Sequence, residues 1–326
     1  MSRRYCTILL LPVALVATTA ACGDDDDGDP AAADDDTPTI VATTSIWADV
    51  TSNVACGGLA DVRTIISIGG DPHSYEPSLK DREVLEDAAL IVTNGLALEE
   101  SLDDTLDAAE RSGATVFRFT DVIEPLPVDD GADVDHEEED DDGNGDELGH
   151  GGGDPHVWFD PSRVAAALPA LRDALVDAGL DAAALDDCVD AYRATLRDVD
   201  ARVDAALAAV PDERRLLVTN HEALTYFAEH YDFEILGAVI PSSSTLAEAS
   251  PAELQELADR IEETGVPAIF AETQHSSEAA AAIAAALTDV AVVTLHTDSL
   301  GPSGSGAETY VGLLETDARL IAEALS

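Results

Sequence analysis

Residues 185–210, LDDCVDAYRATLRDVDARVDAALAAV, contain neither glycine nor proline. Val189, Tyr192, Leu196, Val199, Val203, Leu207 and Val210 recur there at steps of three and four residues. That period predicts one amphipathic helix of 26 residues, about 39 Å long at the standard rise. Fewer than four heptads are present, thin support for a coiled-coil dimer, so the chain is expected to be a monomer. A helix of this length in mid-chain acts as a stiff spine for whatever folds on either side of it.

Short β-branched runs alternate with helical stretches on both sides. TIVATTS (39–45), VRTIISI (62–68), LIVTNGL (90–96) and TVFRF (115–119) read as buried strands. WADVTSNVA, LKDREVLEDAA and LEESLDDTLDAAERSG between them carry helical spacing. The same grammar restarts at RRLLVTN (214–220) and runs through EILGAVI, PAIFAET and VAVVTLH. Strand–helix alternation at this spacing means parallel sheets covered by helices. The expected fold is α/β, with two parallel-sheet lobes, residues 39–184 and 211–326, joined by the rigid helix 185–210. Residues 129–153, DDGADVDHEEEDDDGNGDELGHGGG, break the pattern; they lack apolar periodicity and read as an acidic loop in the first lobe.

Charge narrows the range of partners. Lys+Arg number 16 against 67 Asp+Glu, a formal net charge of −51, and Lys80 is the sole lysine. Nucleic acid and anionic membrane surfaces would be repelled, whereas cations are attracted. At the start of the chain, Arg3 and Arg4 precede an apolar stretch from Ile8 to Val16 and small residues leading to Cys22. This is a signal peptide, residues 1–21, too short for an ordinary membrane span. TTAAC resembles a bacterial lipobox, with Thr19 where leucine is usual, and implies a lipid anchor at Cys22. The acidic stretch that follows, within residues 22–38, reads as a self-repelling tether, so the mature protein is expected outside the cytoplasm. The remaining cysteines, Cys56 and Cys188, either pair in that oxidising setting or stand as two small buried hydrophobes. No CxxC spacing supports a cysteine-based zinc site.

Two short motifs carry the chemistry. Asp-Pro-His occurs in DPHSYEP (71–77) and again in DPHVWFDP (154–161). His73 follows the strand that VRTIISI forms, His221 follows LLVTN, and Asp298 follows VAVVTL. All three leave the carboxyl ends of parallel strands, where open α/β sheets bind ligands. His156 stands just before the helix opened by PSRVAAALPALRDAL. Closed lobes would bring His73, His156, His221 and Asp298 together in the cleft between them. Three imidazoles and one carboxylate make a complete four-coordinate set for a borderline-soft divalent cation. Glu272 is the reserve carboxylate, His275 and His296 flank other strand ends, His230 reads as a surface residue, and His136 and His150 lie in the acidic loop. Imidazoles bind metal only when neutral, so affinity is expected to fall as the pH drops from about 7 to 5.

DPHSYEPS, DPHVWFDP, NHEALTYFAEHYDF and DSLG, in this order, resemble the metal-binding solute-binding proteins of ABC transporters for zinc and manganese. The resemblance runs from about Thr39 to the C-terminus. It implies two α/β lobes on one rigid helix, a metal held between them, and delivery to the membrane subunits of an ABC permease rather than catalysis. The family's four ligands fall on His73, His156, His221 and Asp298. Zinc members resemble this chain in having histidine at the third position, where manganese members tend to have glutamate. Zn2+ is therefore the expected cargo, with Mn2+ or iron the alternative of the same type. A zinc hydrolase would need an open coordination position and a general base, and no HExxH is present. A surface adhesin with an incidental metal is the third reading.

Overall fold

The computed structural model describes residues 37–127 and 153–326. The expected leader and Cys22, nearly all of the tether, and the acidic loop with His136 and His150 lie outside the described residues.

Among the described residues eight short strands form, on the sequence runs of Ile, Val and Leu or beside them: β1 (Thr39–Ala42), β2 (Asp61–Thr64), β3 (Leu90–Thr93), β4 (Val116–Arg118), β5 (Leu216–Thr219), β6 (Glu234–Ala238), β7 (Ala268–Glu272) and β8 (Ala291–Leu295). They make two parallel four-stranded sheets with the same spatial order, β2-β1-β3-β4 and β6-β5-β7-β8. In each sheet the chain reverses its direction of growth beside the first strand, which puts a switch point at β1/β3 and another at β5/β7. The two sheets are the two lobes of the expected α/β fold.

Nine helices connect and cover the sheets among the described residues: α1 (Ser45–Val54), α2 (Leu79–Glu86), α3 (Asp103–Arg111), α4 (Pro161–Asp177), α5 (Ala182–Leu207), α6 (Thr225–His230), α7 (Pro251–Thr264), α8 (Glu278–Ala286) and α9 (Tyr310–Leu325). Their ends follow local chemistry. Ser78 with Asp81, and Ser250 with Glu253, form capping boxes at α2 and α7. Asp160 accepts from the backbone of Ser162 and Arg163 and Pro161 opens α4, so the final DP of DPHVWFDP is a helix start. No helix among the described residues is long and apolar enough to cross a membrane.

Two expectations are corrected. The run 62–68 is not a buried strand: β2 ends at Thr64, its residues are exposed or half-covered, and Ile68 is 50% exposed. It is an edge strand with one neighbour, and the chain then turns through Gly69 and Gly70 towards His73. The spine helix occupies 182–207 rather than 185–210. Asp181 caps it by accepting from Ala184 N–H, so it gains a first turn of three alanines that carry no apolar period. Val210 is buried in the turn beyond its end.

The spine is also more than a strut. Leu185, Val189, Tyr192, Leu196, Val199, Val203 and Leu207 face inwards and pack α5 against α4, α9 and α1. Their core is continuous from Ile40, Trp47 and Val92 of the first lobe to Leu217, Phe270 and Leu313 of the second. Burial of each large aliphatic side chain contributes about 1.5–3 kcal/mol, and here that contribution also holds the lobes together. Cys56, in a 3-10 turn after α1, and Cys188 of α5 form a disulfide, which decides between the two readings of those cysteines.

Candidate metal centre

The carboxyl ends of the two sheets face a common cleft, and each ligand loop is shaped locally. Asp71 accepts the backbone N–H of His73 at 2.9 Å, and Asp154 accepts that of His156 at 2.9 Å. In both motifs the aspartate folds the chain over itself two residues on, with proline fixing the intervening φ. Val157, Trp158 and Phe159 then form a buried 3-10 turn. Trp158 sets its ring edge-on to His156 at 5.3 Å and donates its indole N–H to the carbonyl of Thr297, beside Asp298. Asn94 at the end of β3 donates to the carbonyl of Pro155, and Glu99 accepts the Asn94 backbone N–H. The second motif is thus built into the core between the lobes.

The fold brings together the four residues that the sequence singled out. His73, His156, His221 and Asp298 are all buried, and each offers a ligand atom within 4.8 Å of the other three. The ring centroids of His156 and His221 are 4.9 Å apart, and His73 lies 5.6 and 5.5 Å from them. Asp298 sets Oδ1 3.7 Å from His156 Nε2 and Oδ2 3.7 Å from His221 Nε2. A cation about 2.0–2.2 Å from four tetrahedral donors needs them about 3.3–3.6 Å apart, so modest adjustment of this arrangement suffices. Neither oxygen of Asp298 and neither ring nitrogen of His73 has a hydrogen-bond partner within the chain. Buried polar atoms without partners are costly, and their convergence on one point marks a ligand site.

Second carboxylates orient two of the three imidazoles. Asp154 Oδ1 lies 2.7 Å from His156 Nδ1, and Glu272 Oε1 lies 2.5 Å from His221 Nδ1. Each contact turns the opposite ring nitrogen, Nε2, towards the cluster, as in the carboxylate–histidine pairs of metal sites. Burial opposes charge on His221, but Glu272 and Asp298 outweigh it and raise the imidazole to about 9. Burial pushes Asp154 up, yet His156 holds its carboxyl below the ordinary value. His73 has no carboxylate partner. Burial, reinforced by repulsion from His156, His221 and His275, holds it well below its ordinary value. Burial raises the Asp298 carboxyl against the opposing pull of His221 and His156.

The other sequence candidates fall outside the cluster. Glu272, the reserve carboxylate, sets Oε1 on the His221 ring and leaves Oε2 buried without a hydrogen-bond partner; it is not among the four residues whose ligand atoms converge. His230 is not a free surface residue: it is half-buried and contacts Asp200 of α5 at 2.8 Å and Asp160 at 3.5 Å. His275 is half-buried and accepts the backbone N–H of Ser276. His296 is buried two residues before Asp298, with its backbone N–H on Asp317. The aspartates of the two motifs, Asn94, Glu99 and the Trp158–Thr297 bond went unread in the sequence. For the aspartates alone a signal existed, an Asp two residues before a histidine across proline.

Comparisons with known proteins identify the family and the fold. A family model described as zinc-uptake complex component A, periplasmic, matches residues 40–324. The manganese-binding lipoprotein MntA of Halalkalibacterium halodurans is 30% identical, over 88% of each chain. The zinc-binding protein TroA of Treponema pallidum is 31% identical, over 89% of each. The solved structure of that periplasmic zinc-binding protein superposes with a TM-score of 0.76 at 29% identity, covering 89% of this chain and 99% of the other.

Proposed function

This chain belongs to the periplasmic zinc-uptake complex component A family, and from that premise we propose that it captures Zn2+ outside the cytoplasm and delivers it to the membrane permease of an ABC importer. The observation that carries the reading is the buried convergence of His73, His156, His221 and Asp298, with no hydrogen-bond partner for either oxygen of Asp298 or either ring nitrogen of His73. These four are the proposed ligands, and the cation is cargo rather than a resident cofactor. Three neutral imidazoles and one carboxylate suit zinc, which also stands above manganese in the general affinity order for nitrogen-rich sites. The carboxylates behind His156 and His221 hold the rings in the binding tautomer. The two lobes hold the cation between them, Cys22 anchors the chain to the membrane through lipid, and the protein acts as a monomer without catalysing a reaction.

One observation favours manganese as a second reading. Both oxygens of Asp298 face the cluster at equal distance from two imidazoles. A two-oxygen grip would add a fifth, hard donor of the kind manganese takes, and the relative MntA is named for that metal. Metal analysis of the protein purified without chelators, followed by calorimetric competition of Zn2+ against Mn2+, tests both. One equivalent of zinc that manganese cannot displace supports the first reading. Manganese bound in preference to zinc would replace it with the second, and no stoichiometric metal would overturn both.

A further inference from the structure

The two Asp-Pro-His motifs are built differently around their histidines. Asp154 spends one oxygen on the His156 ring itself. Asp71 leaves the His73 ring alone: Oδ1 accepts the His73 backbone N–H, while Oδ2 accepts the hydroxyls of Ser74 at 2.9 Å and Thr245 at 2.8 Å. The position of His73 therefore depends on its loop, and Thr245 reaches that loop from the other lobe. Thr245 lies between β6 and α7 and is 7% exposed, whereas its neighbour Leu246 is 53% exposed. The segment that carries Thr245 is shaped by its own serines: Ser244 N–H donates to Ser242 Oγ, and Leu246 N–H donates to Ser244 Oγ. Its base is fixed to the site as well, because the N–H of Glu222, the residue after His221, donates to the carbonyl of Ser242. Residues 242–245 thus run as a strap from beside His221 to the carboxylate that sets His73.

We infer that Thr245 is a positioning residue for cargo retention: its bond to Asp71 holds the His73 loop, the one ligand loop without a carboxylate on its ring, against the second lobe. The inference rests on the metal-binding reading of the cluster. While the Thr245–Asp71 bond is made, the His73 ring stays on the ligand point. When it breaks, the loop keeps its Gly69 N–H bond to Ser299 Oγ across the cleft at 2.7 Å, but the Asp71–His73 turn can swing away from that point, while His156 and His221 remain fixed by Asp154 and Glu272. Thr245 should then govern how fast a bound cation departs more than whether the chain folds.

The test uses the full chain loaded with Zn2+ and follows dissociation into an excess of chelator. A hydrogen bond to a carboxylate is among the stronger kind, so Thr245→Val should speed release by about tenfold or more. Thr245→Ser, which keeps the hydroxyl, should release zinc nearly as the parent does, and Leu246→Ser on the exposed neighbour should change nothing. In an Asp71→Ala background the Thr245→Val change should add no further acceleration, since two groups acting through one bond are not additive. Parent-like release from Thr245→Val would overturn the inference. So would equal acceleration in the Asp71→Ala background, or a matching fall in the cation-free melting temperature that serine does not rescue. Failure of the parent chain to bind zinc or manganese would overturn the metal-binding reading and this inference with it.

Discussion

The Nε2 atoms of His156 and His221 lie 3.0 Å apart. Two bare lone pairs repel at that distance, so when no cation stands between the rings one must donate a proton to the other. His221 is the donor, since Glu272 and Asp298 overcome the burial that opposes its charge and raise it to about 9. Its Nδ1–H goes to Glu272 and its Nε2–H to His156. The nitrogen that a cation needs is therefore protonated at neutral pH.

Cation binding at pH 7 should accordingly expel about one proton, and affinity should rise about tenfold per pH unit up to about pH 9, then level off. The sign follows from the raised value: the protonated form prevails below about 9, so acid weakens binding and alkali relieves it. His73, held well below its ordinary value, adds no second proton near neutrality. The window thus lies above the interval from 7 to 5 expected of free imidazoles. Calorimetry in buffers of different ionisation enthalpy counts the proton directly, and a count of zero at pH 7 would contradict the assignment.

Glu272→Gln and Asp154→Asn keep the shapes of the two orienting side chains but remove their charge. Above about pH 9, where no proton competes on His221, each should lower zinc affinity about 10–100-fold, while replacing any of the three histidines by alanine should lower it further. Glu272→Gln should also flatten the pH dependence near neutrality, because the largest force raising His221 is gone. Asp154→Asn should leave that profile in place. Identical profiles for the two variants would show that Glu272 does not set the His221 proton.

The four residues of the cluster were legible because a side chain that can bind metal has to be of a particular type at a strand end, and the doubled Asp-Pro-His marked two of them. The sequence did not reveal Thr245 or Asn94, whose roles depend on which loops meet across the cleft. Glu272 was visible as a carboxylate near the site, but ligand and orienting partner differ only in which atom faces which, and no spacing encodes that. The spine helix was evident from Val189 to Leu207, where burial imposes a period. Its first turn is silent in the pattern, because Ala182, Ala183 and Ala184 carry no such period and only the Asp181 cap marks the start. Nothing in the sequence marks β2 as an exposed edge, because β-branched residues favour strands whether or not the strand lies at an edge.

The Cys56–Cys188 disulfide closes a separation of 132 residues. Loop-closure entropy for that span sets its stabilisation at about 5 kcal/mol at most. The Cys56→Ser, Cys188→Ser double variant should unfold at clearly lower denaturant concentration while binding zinc with parent-like affinity, because neither cysteine belongs to the cluster. Loss of zinc affinity in the folded double variant would show that the cross-link also shapes the site.

Because Leu196 and its neighbours belong to a core shared by both sheets, the lobes should not melt separately. Leu196→Ala should cost about 2–5 kcal/mol, and residues 37–326 should still unfold in one transition seen alike by probes in either lobe. Two resolved transitions would show that the lobes are independent and that the spine is only a connector.

Metal choice should turn on position 221. His221→Glu exchanges a nitrogen donor for a hard oxygen, which favours manganese relative to zinc. It also sets a new carboxylate against Glu272, whose Oε1 lies 2.5 Å from the present ring nitrogen, and two buried carboxylates at that range must share a proton. The single variant should therefore bind both metals weakly. Adding Glu272→Gln supplies an amide that donates to the new carboxylate and restores a fixed orientation. The double variant should recover manganese affinity more than zinc affinity, moving the zinc-to-manganese ratio by roughly tenfold or more, about 1.4 kcal/mol. Calorimetric titration of parent, single and double variants with both metals at one pH gives the ratio. If it stays at the parent value in the double variant while manganese affinity returns, the selectivity lies elsewhere in the cluster, and Asp298, with two oxygens on the same point, becomes the residue that sets it.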